Sequence, residues 1–251
     1  MEWSRDHLLI AMHLYCQIPF GQMHKGNPTI IAVAEKMGRS PSSLAMKLVN
    51  FASLDPVHLA RGIKGLRHAS RADRAIWEEF DSDWNGATDA AASAVRSLPT
   101  RTPRSEVPLR IPSIETDRVV QAVARTGQSF FRQAVLSSYR NACCVTGLAI
   151  PELLVASHIV PWNASKEQRL NPRNGLCLSN LHDRAFDRGL ISFDEDFRLL
   201  VGDALRKEAS RRTFAEKIFH AYEGRRITFP ERFAPDPEFL RYHRERIFYV
   251  A

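Results

Sequence analysis

The chain has 251 residues, 44% of them hydrophobic, and carries a formal net charge of +7 with a pI near 9.5. That length allows one large domain or two modest ones, each with its own core, and no run of eighteen apolar residues exists to cross a membrane. Four cysteines (Cys16, Cys143, Cys144, Cys177), with no CxxC pair, exclude a disulfide scaffold and a four-thiolate zinc site; they read as small buried hydrophobes of a cytoplasmic protein.

The opening MEWSRDHLLIAMHLY has an acid at position 2 and no small-residue cleavage site, so it reads as a first helix, with Ser4 as its cap, rather than a signal peptide. After a Gly- and Pro-bearing loop, a second helix is expected over Thr29–Met37, stopped by Gly38. A third follows, capped by Ser40 with Pro41 at its first position and Leu44, Leu48 and Phe51 as its apolar face. Helix, glycine turn and capped helix have the shape of a helix-turn-helix. Arg39, Ser42, Ser43, Lys47 and Asn50 are then expected to face outward, where they would reach phosphates or base edges of DNA. Trp77, Phe80 and Trp84 recur at three and four residues and read as core.

Charge is uneven along the chain. Residues 1–92 are net neutral, but within them 39–74 is basic and 75–92 carries five acids and no Lys or Arg; the excess positive charge lies after residue 92. Residues 93–115 hold four of the fourteen prolines with arginines between them and read as a semi-stiff linker. A long helix capped by Thr116 and Asp117 is expected next, interrupted at Gly127. A turn and a short strand lead to VASHIV, GLCLS (175–179) reads as a second strand, and NLHDRAFD as a helix start capped by Asn180. A hairpin around Asp194, Glu195 and Asp196 and an amphipathic helix near 204–221 complete the expected elements. The fold class is α+β: a mainly helical part at 1–92, the linker, and a mixed domain at 116–251.

His158, Asn174 and His182 stand sixteen and then eight residues apart in this mixed domain. Phosphodiester hydrolysis needs an activated water, and a neutral imidazole supplies the base. It also needs charge neutralisation at phosphate, which a divalent cation supplies. His158 is assigned as the base and His182 as a metal ligand. Asn174 either orients the base by hydrogen bonding or ligates the metal, and Gly175 permits a tight turn beside it. Asp187 is the candidate second ligand; Asp183 is expected to point elsewhere. One or two protein ligands completed by water and a phosphate oxygen suit Mg²⁺ or Mn²⁺. Arg173, Arg184 and Arg188 flank the trio and are candidates for phosphate contacts.

The runs YRNACCVTG, LLVASHIVPW and NPRNGLCLSNLHDRAFDRGLI resemble the HNH endonuclease family, in its restriction-endonuclease-like branch. The resemblance implies a ββα-metal fold over roughly 128–200, with His158 as base, Asn174 as organiser and His182 as metal ligand. The run NPTIIAVAEKMGRSPSSLAMKLVNFASLDP is similar to the N-terminal region found with such nucleases in restriction enzymes. Two departures stand out: Ser157 precedes the base where many such enzymes have a ligating acid or histidine, and paired CxxC knuckles are absent. The expected function is a metal-dependent DNA endonuclease in restriction or defence; a homodimer or two successive events would be needed to cut both strands. A DNA-binding regulator with a degenerate fold, and a toxin-like nuclease without specificity, are the alternative readings.

Overall fold

A computed structural model describes the backbone of residues 2–62, 69–99, 116–209 and 214–248, and their side chains except at 116–126 and 208–209. The linker expected at 93–115 is helical at its start; its residues 100–115 lie outside the described ones. Two compact units are present, Met1–Phe130 and Phe131–Ala251. No helix among the described residues is long and apolar enough to cross a membrane.

The first unit is helical. Helix α1 (Arg5–Gln17) starts where the Ser4 hydroxyl accepts from the His7 amide. It is buried along most of its length and packs against α3 (Pro41–Ala52), α5 (Arg71–Ser82) and α6 (Trp84–Arg96). The helical hairpin foreseen between residues 28 and 52 is present. In α2 (Pro28–Lys36), Asn27 accepts from two first-turn amides; Gly38 then adopts φ +63°, and Ser40 caps α3 ahead of Pro41. Leu44, Leu48 and Phe51 are fully buried, as are Phe80 and, nearly so, Trp84. A short helix α4 (Pro56–Ala60) is capped by Asp55, whose other carboxylate oxygen accepts from the Tyr15 hydroxyl at 3.0 Å.

Helix α7 (Thr116–Ser138) contains the division between the units. Gly127 does not interrupt it: one glycine inside a helix costs about 1 kcal/mol, little against 23 residues of continuous hydrogen bonding.

In the second unit, β1 (Leu154–His158) and β2 (Gly175–Ser179) pair antiparallel, with Ser157 opposite Leu176 and His158 opposite Gly175. Helix α8 (Asn180–Asp187) follows β2 directly. Its cap is Ser179, not Asn180: the Ser179 hydroxyl accepts from the His182 amide. Strands β3 (Ile191–Phe193) and β4 (Leu199–Val201) form the foreseen hairpin. Near 204–221 the described elements are α9 (Asp203–Ala209), α10 (Phe214–Ile218) and a 3₁₀ turn at His220–Tyr222. Helix α11 (Pro237–His243) is the last α-helix in this unit. Phe131, Val135, Leu176, Leu178, Phe186, Phe193 and Leu240 belong to one core cluster, which also takes in the free, buried thiols of Cys143, Cys144 and Cys177.

Gly175 is glycine for a packing reason rather than a turn. Its φ of −131° is ordinary extended backbone, but a β-carbon there would collide with Val135 and stand 3.0 Å from Phe131. The bare backbone lets β2 lie close against α7.

Candidate active site

The end of β1, the loop after it and one side of α8 meet at His158. Its ring stacks on Phe131 at 3.9 Å with 10° between planes, and meets Trp162 edge-on at 5.5 Å. His158 Nε2 lies 2.9 Å from the Arg169 carbonyl. A carbonyl only accepts, so Nε2 carries the hydrogen and Nδ1 holds the lone pair. Burial lowers the pKa of this imidazole, while the Arg169 carbonyl and the Asp183 carboxylate oppose that shift. At neutral pH the ring is an uncharged base with an available nitrogen beside a carboxylate.

Asn174 holds the loop rather than the ring. Its amide oxygen accepts from the Val160 N–H at 2.8 Å, and its amide nitrogen donates to the carbonyls of Val160 and Gln168, each at 3.1 Å. The side chain is buried. It spans the loop that presents the Arg169 carbonyl to His158, so it influences the base one step removed. Arg169 itself is tied back: its Nε donates to the Trp162 carbonyl at 2.9 Å, and its guanidinium lies 4.8 Å from the Trp162 ring centre.

His182 has partners of its own. Its Nε2 lies 3.1 Å from the Ile218 carbonyl and its Nδ1 2.9 Å from the Ser179 hydroxyl. Nε2 must therefore donate and Nδ1 must accept, so neither nitrogen retains a lone pair for a metal. The ring is buried against Phe219 and Tyr222, and the two imidazoles share no partner among the described residues.

Asp183, the next residue along α8, is the carboxylate whose charge acts on His158. It is half-buried and interacts electrostatically with His158. Burial raises its pKa, and the Ser157 hydroxyl, Arg184 and His158 pull it back. Asp187, one turn further along α8, is solvent-exposed; partial desolvation and then the Asp183 charge raise its pKa, with Arg184 and Arg188 opposing. The four-residue spacing of Asp183 and Asp187 was a usable signal, since it places two carboxylates on one side of a helix. The Arg169 carbonyl has no signature in the sequence.

Two neighbouring carboxylates, both pushed toward the neutral form, are a donor set that a hard divalent cation would relieve. Among the described residues, no three His, Cys, Asp or Glu side chains stand close enough to hold a metal by themselves. A cation here would depend on water and phosphate for most of its coordination, as Mg²⁺ commonly does.

Of the flanking cations, Arg184 and Arg188 are exposed, while Arg173 is half-buried and its carbonyl accepts from the Asp236 amide at 3.1 Å. In the first unit, Ser42 is exposed, and Ser43 and Asn50 are half-exposed. Lys47 does not face outward. It is 7% exposed, with its ammonium 2.7 Å from the fully buried Asp73 carboxylate and 4.8 Å from the Trp3 ring centre. Arg39 is half-buried over the same ring at 3.9 Å and donates to the Glu2 carbonyl.

No curated protein matches the chain. Residues 143–194 match the family model described as HNH endonuclease, a span that encloses β1, β2 and α8 entire, so the second unit contains an HNH endonuclease domain.

Proposed function

We propose that the protein is a divalent-cation-dependent DNA endonuclease acting in restriction or defence, with His158 as general base. The observation that carries this reading is the His158 ring: its Nε2 is tied to the Arg169 carbonyl, and its Nδ1 is left to take a proton beside Asp183. Nδ1 removes a proton from the attacking water, and the Arg169 carbonyl stabilises the imidazolium that results. Asp183 and Asp187 would hold the cation, which would supply charge neutralisation at the phosphate and help to the leaving oxygen. Mg²⁺ or Mn²⁺ fits oxygen donors of this kind.

Asn174 and His182 are positioning residues here rather than metal ligands. Asn174 fixes the 160–169 loop, and His182 ties the first turn of α8 to Ser179 and Ile218. Arg184, Arg188 and Arg173 contact phosphates, and Ser42, Ser43 and Asn50 on α3 reach DNA in the first unit. The protein works in the cytoplasm. One such site cuts one strand, so a double-strand break takes a homodimer or two events.

The test is nicking of supercoiled plasmid by the full chain with Mg²⁺ or Mn²⁺. His158→Ala should slow it about 10²–10⁴-fold, the usual worth of a general base. Undiminished cutting by that variant would remove His158 from the role. One observation favours a second reading, a regulator that binds DNA without cutting it: no three metal-ligating side chains cluster among the described residues. Calorimetry that finds tight duplex binding and no uptake of divalent ions would select it.

A further inference from the structure

Another side of α8 borders a cavity of about 550 Å³, within the size range of small-molecule sites. Leu148, Leu153, Leu181, His182, Ile218 and Tyr222 supply most of its wall, and none of the residues lining it carries a charge. His182 belongs to that neutral wall because both its nitrogens are engaged with uncharged partners. Its ring stands nearly perpendicular to that of Tyr222, 6.3 Å away, and the half-buried Tyr222 gives the cavity an aromatic surface. At the mouth, Leu153 and Leu181 remain 44% and 42% exposed.

The cavity and the carboxylate pair are carried by the same turn of helix. His182 lines one and Asp183 belongs to the other, about 100° apart around an axis of 3.6 residues per turn. Arg184 and Arg188 are exposed on this helix as well. A molecule that satisfies all of these features has an anionic part for the arginines and a neutral planar part for the apolar wall. A nucleotide has both.

We infer that the cavity receives a base of the DNA strand being cut, turned out of the stack, while the backbone follows α8 past Asp183. The inference rests on the nuclease reading above and adds to it a place where sequence or base modification can be read. An α-helix is about 10 Å wide. That is a span of about three bases at 3.4 Å per base along one strand, so the captured base lies within about three nucleotides of the nick. A base already unpaired enters more readily, because unstacking costs a few kcal/mol.

The experiment is photo-cross-linking with 5-iodouracil placed singly at each position around a nick site mapped with the wild-type chain. Full-length His158→Ala serves as the binding protein so that the DNA stays whole. One position should cross-link to Tyr222, as read by mass spectrometry of the conjugate. Leu181→Glu puts a charge at an exposed point of the mouth and should reduce that cross-link about tenfold, within the worth of one stacked base. Cross-links only to residues outside the cavity, or an undiminished Tyr222 adduct in Leu181→Glu, would overturn the inference. Wild-type chain that cuts while those results appear leaves the nuclease reading intact; wild-type chain that cuts no DNA removes both.

Discussion

The helical hairpin of the first unit and the ββα unit of the second both read in the sequence as places where DNA is met. They differ in what their polar side chains are doing. In the hairpin, Lys47 is closed onto buried Asp73 and Arg39 lies over Trp3, so two cations expected at a phosphate instead build the interior of the unit. In the ββα unit the same thing happens to Asn174 and His182, whose polar atoms are fully engaged. His158 keeps one ring nitrogen clear of its bond to Arg169, with the charge of Asp183 acting on it and that of Asp187 acting on Asp183 in turn.

The contrast breaks most sharply at Asp183. Asp183→Asn should lower nicking about a thousandfold, the several kcal/mol that a cation contributes to stabilising charge at phosphate. His182→Gln, which alters only bonds internal to the unit, should change cation affinity far less in calorimetry. The reverse order would make His182 the ligand after all. In the first unit the largest effect is on stability: Asp73→Ala leaves Lys47 buried and unpaired and should cost about 3–5 kcal/mol in denaturant unfolding. If Lys47 were a phosphate contact instead, Lys47→Met would weaken DNA binding and reduce its salt dependence.

Acid affects each unit through a buried histidine. Burial lowers the pKa of His243 in the second unit to about 4, and that of His13 in the first likewise to about 4. His243 donates from Nε2 to the Phe186 carbonyl, its Nδ1 lies 2.9 Å from the Ser192 hydroxyl, and it stacks on Phe186 at 3.6 Å. The unfolded chain protonates residue 243 below pH 6.5 and the folded chain resists until about 4. Its contribution is therefore whole above pH 6.5 and falls across that window by up to about 3 kcal/mol. Substituting His243→Gln should remove one proton's worth of the slope of stability against pH, leaving that of His13. The smallest effect expected is at Gly175, where an alanine methyl would press on Val135 and Phe131 and cost about 1–3 kcal/mol in denaturant unfolding.

Much of this was legible in the sequence because local rules agree with one another. Ser4 and Ser40 cap where capping residues should, Pro41 and Gly38 punctuate α3 and α2, and the two short strands alternate with turn residues. What escaped depended on phase or on distance. Reading Asn180 rather than Ser179 as the cap slips α8 by one residue, and one residue is about 100° of rotation. Lys47 looked exposed because the partner that buries it, Asp73, is 26 residues away on another helix. Gly175 looked like a turn glycine because its packing partners belong to α7, forty residues earlier.

The bond from His182 to the Ile218 carbonyl carries a lesson about modularity. The family match ends at residue 194, yet the first turn of α8 is held by residue 218, its C-terminal end by His243, and the His158 ring by Phe131 ahead of the match. A fragment trimmed to the matched boundaries would keep the signature and lose its supports. Anyone transplanting this domain, or designing a chimera around it, would have to carry over Phe131 through His243.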